Sequence, residues 1–136
     1  MVNNLPFKKG NKLELQDHSG AIGLEGLRDF ANKQIGPLAI DLFSGAGGMS
    51  LGLEEAGFNV ILGVDRNRDA VATHRAYFPG VSMEGDLSRM ETIDSIVNAL
   101  SGIPIDLIAG CPPCQPFSRA SQSKNKFLAS QSDSPQ

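Results

Sequence analysis

From Leu38 onward the apolar positions follow two alternating rhythms. Short continuous runs, "LAIDLF" (38–43), "NVILGVD" (59–65), "VSMEGD" (81–86) and "IDLIAG" (105–110), have the length and β-branched content of buried strands. Between them the spacing becomes helical. "MSLGLEEAG" reads as a short helix closed by Gly57, and Ala70, Val71, His74, Tyr77 and Phe78 mark one helical face ahead of Pro79. Ile93, Ile96, Val97 and Leu100 recur at i, i+3, i+4 and i+7 before Gly102. Ser88, with Glu91 three residues on, predicts a capping box at the start of that helix. Upstream, residues 1–36 are polar and mixed; Leu24, Leu27, Phe30 and Ala31 allow one short helix, weakened by Gly23 and Gly26 and ended by Gly36-Pro37. From Ser118 on the chain is serine-rich and reads as loop.

Strands that are apolar throughout and alternate with amphipathic helices imply a parallel sheet covered on both faces. The right-handed crossover rule then favours an α/β, Rossmann-like, doubly wound arrangement. In such sheets ligands bind beyond the carboxyl ends of the strands. By this count Ser44 to Gly48, Asp65, Asp86 and Cys111 to Gln115 all fall there.

Composition narrows the setting. One domain is the expectation for 136 residues, and 40% apolar content with a net charge of −3 describes a soluble globular chain. The acidic balance argues against nonspecific nucleic-acid binding through bulk charge, although a local basic groove would not register in the total. Met1 to Gly10 lacks the apolar run of a signal peptide, so the cytoplasm is the expected compartment. Cysteines there stay reduced, and the pair Cys111 and Cys114 calls for an explanation other than a structural disulfide.

"DLFSGAGGMSLG" joins the first strand to the first helix. Gly45, Gly47 and Gly48 allow a tight turn and close approach of a ligand to the backbone, with the helix directing its positive end to the same place. A dinucleotide fingerprint would require glycine where Ser50 stands, and no Gly-Lys-Ser/Thr follows for a P-loop. Asp65, closing the second strand about 20 residues past the turn, is placed to accept hydrogen bonds from both hydroxyls of a ribose; capping the helix near Arg68 is its alternative. Asp86 is either an acceptor for an adenine amino group or a plain loop aspartate. Taken together, the three features fit an adenosine-containing ligand.

Zinc asks for four ligands, and the two histidines stand far away at 18 and 74. A thioredoxin-type redox pair would open a helix, whereas "QPFSRAS" puts Pro116 and serines where that helix should run. A buried structural cysteine remains the general alternative, though a residue set among prolines at a strand's end is poorly described as core.

"DLFSGAGG" followed by "GCPPCQPFS" resembles the cytosine-5 DNA methyltransferases, in order, spacing and strand context, over about 38–121. The resemblance implies an S-adenosylmethionine-dependent methyltransferase domain and a DNA substrate, with an RNA-methylating branch as a variant. Carried over by position, Phe43, Ser44, Gly45, Gly47 and Gly48 line the cofactor pocket, Asp65 holds the ribose, and Asp86 with Leu87 faces the adenine. Cys114 is the nucleophile, Pro113, Gln115 and Ser118 belong to the substrate loop, and Cys111 is a bystander. The family often has glutamate at the ribose position, one methylene longer than Asp65. Its later blocks, a Glu-Asn-Val segment, an arginine-containing segment and a target-recognition domain, are not in this sequence. The resulting expectation is an amino-terminal extension over 1–36, a partial methyltransferase domain over 37–121 and a loop-like tail over 122–136. It includes a fragment or split subunit that is inactive alone and completed by a second polypeptide. The competing classes are a non-catalytic adenosine-ligand-binding domain, indifferent to loss of Cys114, and a thiol oxidoreductase needing both cysteines.

Overall fold

The computed structural model describes residues 22–113. A single 3-10 turn, Leu24–Gly26, leads into α1 (Leu27–Asn32). There follow β1 (Leu38–Leu42), α2 (Gly48–Glu55), β2 (Asn59–Asp65), α3 (Arg68–Tyr77), β3 (Val81–Glu84), α4 (Met90–Leu100) and β4 (Leu107–Gly110). All strand pairings are parallel and the order is β3-β2-β1-β4. The Rossmann-like α/β reading therefore stands. Successive strands step outward from β1 to β3, and α4 then carries the chain back across to the far side of β1. That reversal makes the β1/β4 boundary the topological switch point, and sheets of this kind bind their ligands beyond the carboxyl ends of the strands there.

The helices divide between the two faces. α1 packs against α4 and β2, while α2 packs on β1 and β2 and α3 on β2 and β3. The register shows what each face receives. Ile40, Leu62 and Val81 lie side by side across β1, β2 and β3, with Ile108 beside Ile40 on β4. One residue further along, the row reads Ala109, Asp41, Gly63 and Ser82. Lateral neighbours in a sheet point the same way and consecutive ones point oppositely. One row serves the main apolar core, where Leu27, Ala31, Leu38, Ile40, Leu62, Val64, Val81, Ile96 and Ile103 are all buried. The other is small and polar. Leu27 of α1 is fully buried, so the helix ahead of position 36 belongs to the same packed body as the sheet.

Several local expectations change. α4 begins at Met90 with Arg89 as its N-cap and no side-chain cap, so the Ser88/Glu91 capping box does not form. Ser88 stands one residue before that N-cap, and its Oγ instead donates to Asp86 Oδ1 at 2.6 Å. β4 starts at Leu107 rather than Ile105. Asp106 already brackets the start of β1, its amide bonding Leu38 O at 2.9 Å and its Oδ2 accepting from Leu38 N at 2.7 Å. Val97, expected on the buried face of α4, is 60% exposed.

Candidate active site

The turn between β1 and α2 begins with a residue in an unfavourable conformation. Phe43 has φ +60°, the left-handed region that costs a bulky side chain about 1–3 kcal/mol, and its ring stands partly exposed. Its neighbours hold it there: Ser44 N donates to Val64 O at 2.9 Å, tying the turn to the end of β2, and Gly47 N closes on Ser44 O at 3.1 Å. Gly47 has φ +114°, and a Cβ there would lie 2.3 Å from Phe78 Cε2, so the residue is glycine on both conformational and steric grounds. At Gly45 and Gly48 a Cβ would meet nothing within 4 Å; these two positions border open space. α2 then starts at Gly48 with no side-chain cap from Gly47, at the carboxyl end of β1.

Asp65 does not cap α3. That role falls to Asn67, whose Oδ1 accepts from Asp69 N and Ala70 N, each at 3.0 Å. Asp65 Oδ2 accepts from Gly45 N at 3.0 Å and Oδ1 from Asn67 N at 2.8 Å. The carboxylate thus joins the glycine turn to the end of β2. Each oxygen keeps a lone pair, so capacity remains for ligand hydroxyls. Asp86 stands two residues beyond β3, where Oδ1 accepts from both the hydroxyl and the amide of Ser88, at 2.6 and 3.0 Å. These bonds, with help from Arg66 and Arg89, hold its carboxyl below the usual range. Leu87 beside it is half-buried against the main core. Ser44 is buried, which leaves it a structural part of the turn rather than an open surface of it.

Phe43, the glycine turn, Asp65 and Asp86 therefore gather at the carboxyl ends of β1, β2 and β3. Cys111, Pro112 and Pro113 follow β4 to the same end, Cys111 exposed and free of any disulfide. Cys114, Gln115 and Ser118 lie outside the described residues. Among the described residues no group of three or more metal-binding side chains occurs, and no helix is long and apolar enough to cross a membrane.

One cluster escaped the sequence reading. Asp41, Ser50, His74 and Ser82, all buried, form a continuous chain. Ser50 Oγ donates to Asp41 Oδ2 at 2.7 Å and lies 2.8 Å from His74 Nε2, while His74 Nδ1 lies 2.6 Å from Ser82 Oγ. The signal was available as polar or Cβ-less residues inside apolar strands: aspartate in "LAIDLF", glycine in "NVILGVD" and serine in "VSMEGD".

A glycine turn at the switch point of a parallel sheet, bracketed by an aspartate from the next strand, defines a Rossmann-like α/β domain. The chain belongs to the C-5 cytosine-specific DNA methylase family, whose model matches residues 38–132. It is 43% identical over 81 residues to the type II methyltransferase M.HgiGI of Herpetosiphon aurantiacus, covering 60% of this chain and 62% of that one. To the type II methyltransferase M1.HphI of Haemophilus parahaemolyticus it is 39% identical over 89 residues, covering 65% of this chain and 24% of that protein. A crystal structure of a prophage-encoded E. coli protein, described as a DNA modification methyltransferase, superposes with a TM-score of 0.51 at 41% identity, covering 65% of this chain and 26% of that one. The matched region is thus less than two thirds of each of these relatives.

Proposed function

We propose that this chain contributes the cofactor-binding half and the nucleophile of an enzyme that methylates carbon 5 of cytosine in DNA, with S-adenosylmethionine as donor. The observation that carries the reading is the convergence at one sheet end of the open glycine positions 45 and 48, the Asp65 carboxylate bonded to Gly45, and the strand that leads into Cys114. The residues suit the donor. Phe43 offers a partly exposed ring, Asp65 has acceptor capacity for ribose hydroxyls, and Asp86 can accept from an adenine amino group. When bound, S-adenosylmethionine supplies an electrophilic methyl group on a sulfonium.

Carbon 5 of cytosine is too weak a nucleophile to take that methyl group unaided. In this reading the Cys114 thiolate adds to carbon 6 and the electron pair of the 5,6 double bond becomes available at carbon 5. Loss of the carbon 5 proton after methylation restores the double bond and expels the thiolate. Sulfur suits both roles, as a soft nucleophile and a good leaving group. Only about 3% of an ordinary thiol is ionised at neutral pH, so a local positive field is needed. The base must also leave the duplex, since carbon 6 is shielded in the stack. Negative charge reaching the pyrimidine needs an acid partner at N3, an assistance worth about 10²- to 10⁴-fold, and a recognition surface to hold the DNA. We assign both to further polypeptide, either a second chain or more of this one. The same partner would continue the sheet at β4, where Ile108 is 62% exposed. With DNA as substrate, the cytoplasm is the compartment that follows.

Binding of S-adenosylmethionine to the full chain, measured by calorimetry, tests the cofactor half. Asp65→Ala should weaken binding by about 1–3 kcal/mol through lost charge-assisted hydrogen bonds. Unchanged affinity removes Asp65 from the site. Supplemented with the remaining motifs, the chain should transfer labelled methyl groups to cytosine, and Cys114→Ser should abolish transfer while Cys111→Ser retains most of it. Equal loss from both substitutions would favour a redox or metal reading of the pair.

A further inference from the structure

The buried chain of Asp41, Ser50, His74 and Ser82 has no part in the chemistry above, yet it runs directly beneath the glycine turn. With Asp41 ionised, its hydrogen-bond directions follow from one another. Ser50 gives its single hydroxyl proton to Asp41 Oδ2, so at His74 it must accept, and Nε2 carries the ring proton. Nδ1 is then the acceptor, and the Ser82 hydroxyl donates to it. The neutral imidazole satisfies every contact in the chain with one tautomer. Ser50 is fully buried and its proton points to the acid rather than to the imidazole, which is the wrong order for a serine nucleophile.

The chain reaches the turn from both sides. Asp41 lies two residues before Phe43 and Ser50 two residues after Gly48, so the bond between them closes a loop around the turn Phe43–Gly48. His74 stacks on Phe78 with ring centroids 4.5 Å apart, and this pair forms the floor on which Gly47 rests: a Cβ at Gly47 would sit 2.3 Å from Phe78 Cε2 and 3.2 Å from His74 Cδ2. Gly63 makes room for the imidazole from below, since a Cβ there would lie 2.5 Å from His74 Cε1. The two ends of the chain differ. Ser50 is in the helix that starts at the turn, whereas Ser82 lies on β3, on the far side of the ring.

We propose that Ser50 and His74 are positioning residues of the cofactor turn, holding Phe43–Gly48 in its binding conformation through the Asp41–Ser50–His74 bonds and the His74–Phe78 floor. This rests on the reading of that turn as the S-adenosylmethionine site. Cutting the chain at Ser50 releases the turn, and cutting it at Ser82 loosens only the outer anchor of the ring.

Three measurements on the full chain test this. In the ligand-free protein, Ser50→Ala should speed amide hydrogen exchange at Gly47 and Leu51, whose amides close the turn, while Ser82→Ala leaves both within about twofold of wild type at a comparable fall in melting temperature. Titrated with S-adenosylmethionine, Ser50→Ala should bind about tenfold more weakly, and Ser82→Ala within about twofold of wild type. Nitrogen-15 spectra of the wild-type imidazole near neutral pH should show the Nε2–H tautomer, a reading that needs no variant to fold. Equal effects of the two substitutions on the turn amides, or an Nδ1–H tautomer, would overturn the proposal. Absence of S-adenosylmethionine binding by the wild type would instead count against the cofactor reading, and the exchange comparison would still decide the role of the chain in the turn.

Discussion

The two faces of this sheet are built from alternate residues of the same strands and held by different forces. Toward α1 and α4 the row Ile40, Leu62 and Val81 packs against Leu27, Ala31 and Ile96 in one apolar cluster. Toward α2 and α3 the neighbouring row Asp41, Gly63 and Ser82 is bridged by one imidazole and one hydroxyl. Apolar packing is strong and non-directional, and it fixes that a helix lies on the sheet more firmly than where its ends point. Hydrogen bonds are weaker in net terms but directional, and unmade they are costly. The directional device sits on the face that carries the glycine turn. Asp41 shows what that choice costs: its buried Oδ1 has no hydrogen-bond partner among the described residues, and burial raises its pKa despite the bonds from Ser50.

Three experiments would break or sharpen the contrast. The largest effect is expected on the apolar face. Leu62→Ala empties a fully buried site and should cost about 2–5 kcal/mol in urea unfolding, without altering how stability varies with pH. A loss below about 1 kcal/mol would mean that this face is not the dominant source of stability.

The pH response should belong to the polar face. Burial holds His74 neutral by lowering its pKa from 6.5 to about 4. Between those values the unfolded chain binds a proton that the folded chain refuses, so stability is full above pH 6.5 and lost as pH falls toward 4, by about 3 kcal/mol. Asp41 acts the other way: its raised pKa lets the folded state hold a proton the unfolded state has released, which stabilises the acid side. His74→Gln should therefore flatten the decline between neutral pH and about pH 4.5, where Leu62→Ala only displaces the curve. An unchanged slope in His74→Gln would assign the acid sensitivity to other groups.

The smallest change is a single methyl group. Gly63→Ala places a Cβ 2.5 Å from Cε1 and 2.7 Å from Nε2 of His74, so the ring must move, at a cost of about 1–3 kcal/mol. A displaced ring meets water, and His74 should then titrate closer to its ordinary value, which histidine proton spectra across the acid range would show. If the ring titrated as in the wild type, Gly63 would not be what makes its space.

Much of the fold was legible because burial on both faces leaves a plain mark on a strand. "NVILGVD" was expected as a strand over 59–65 and is one, and the glycine turn falls at the strand-to-helix junction where its composition places it. The candidate site was legible by position, since carboxyl strand ends are where such sheets bind ligands. One misreading was of a helix boundary: Ser88 looked like a cap, but α4 begins one residue later, with Arg89 at the N-cap, and the Ser88 hydroxyl donates to Asp86. At α3 the capping alternative for Asp65 falls away because Asn67, two residues closer to the helix, takes that role. The uncovered side of Val97 could not be foreseen, because apolar spacing defines a stripe and not the element that covers it.

By itself the sequence determined which segments become strands, at which strand ends the candidate site residues fall, and the resemblance to the cytosine-5 DNA methyltransferases that the family match over 38–132 bears out. Those are properties of spacing along a chain, set by the periods of helix and strand. Only the tertiary structure decided that Asp41, Gly63 and Ser82 stand abreast, because register is a relation between strands, and a shift of one residue would have turned each of them to the opposite face. It also decided that His74 spans them. An amphipathic helix records that one residue faces inward, but whether that residue meets apolar side chains or two hydroxyls depends on the sheet beneath it.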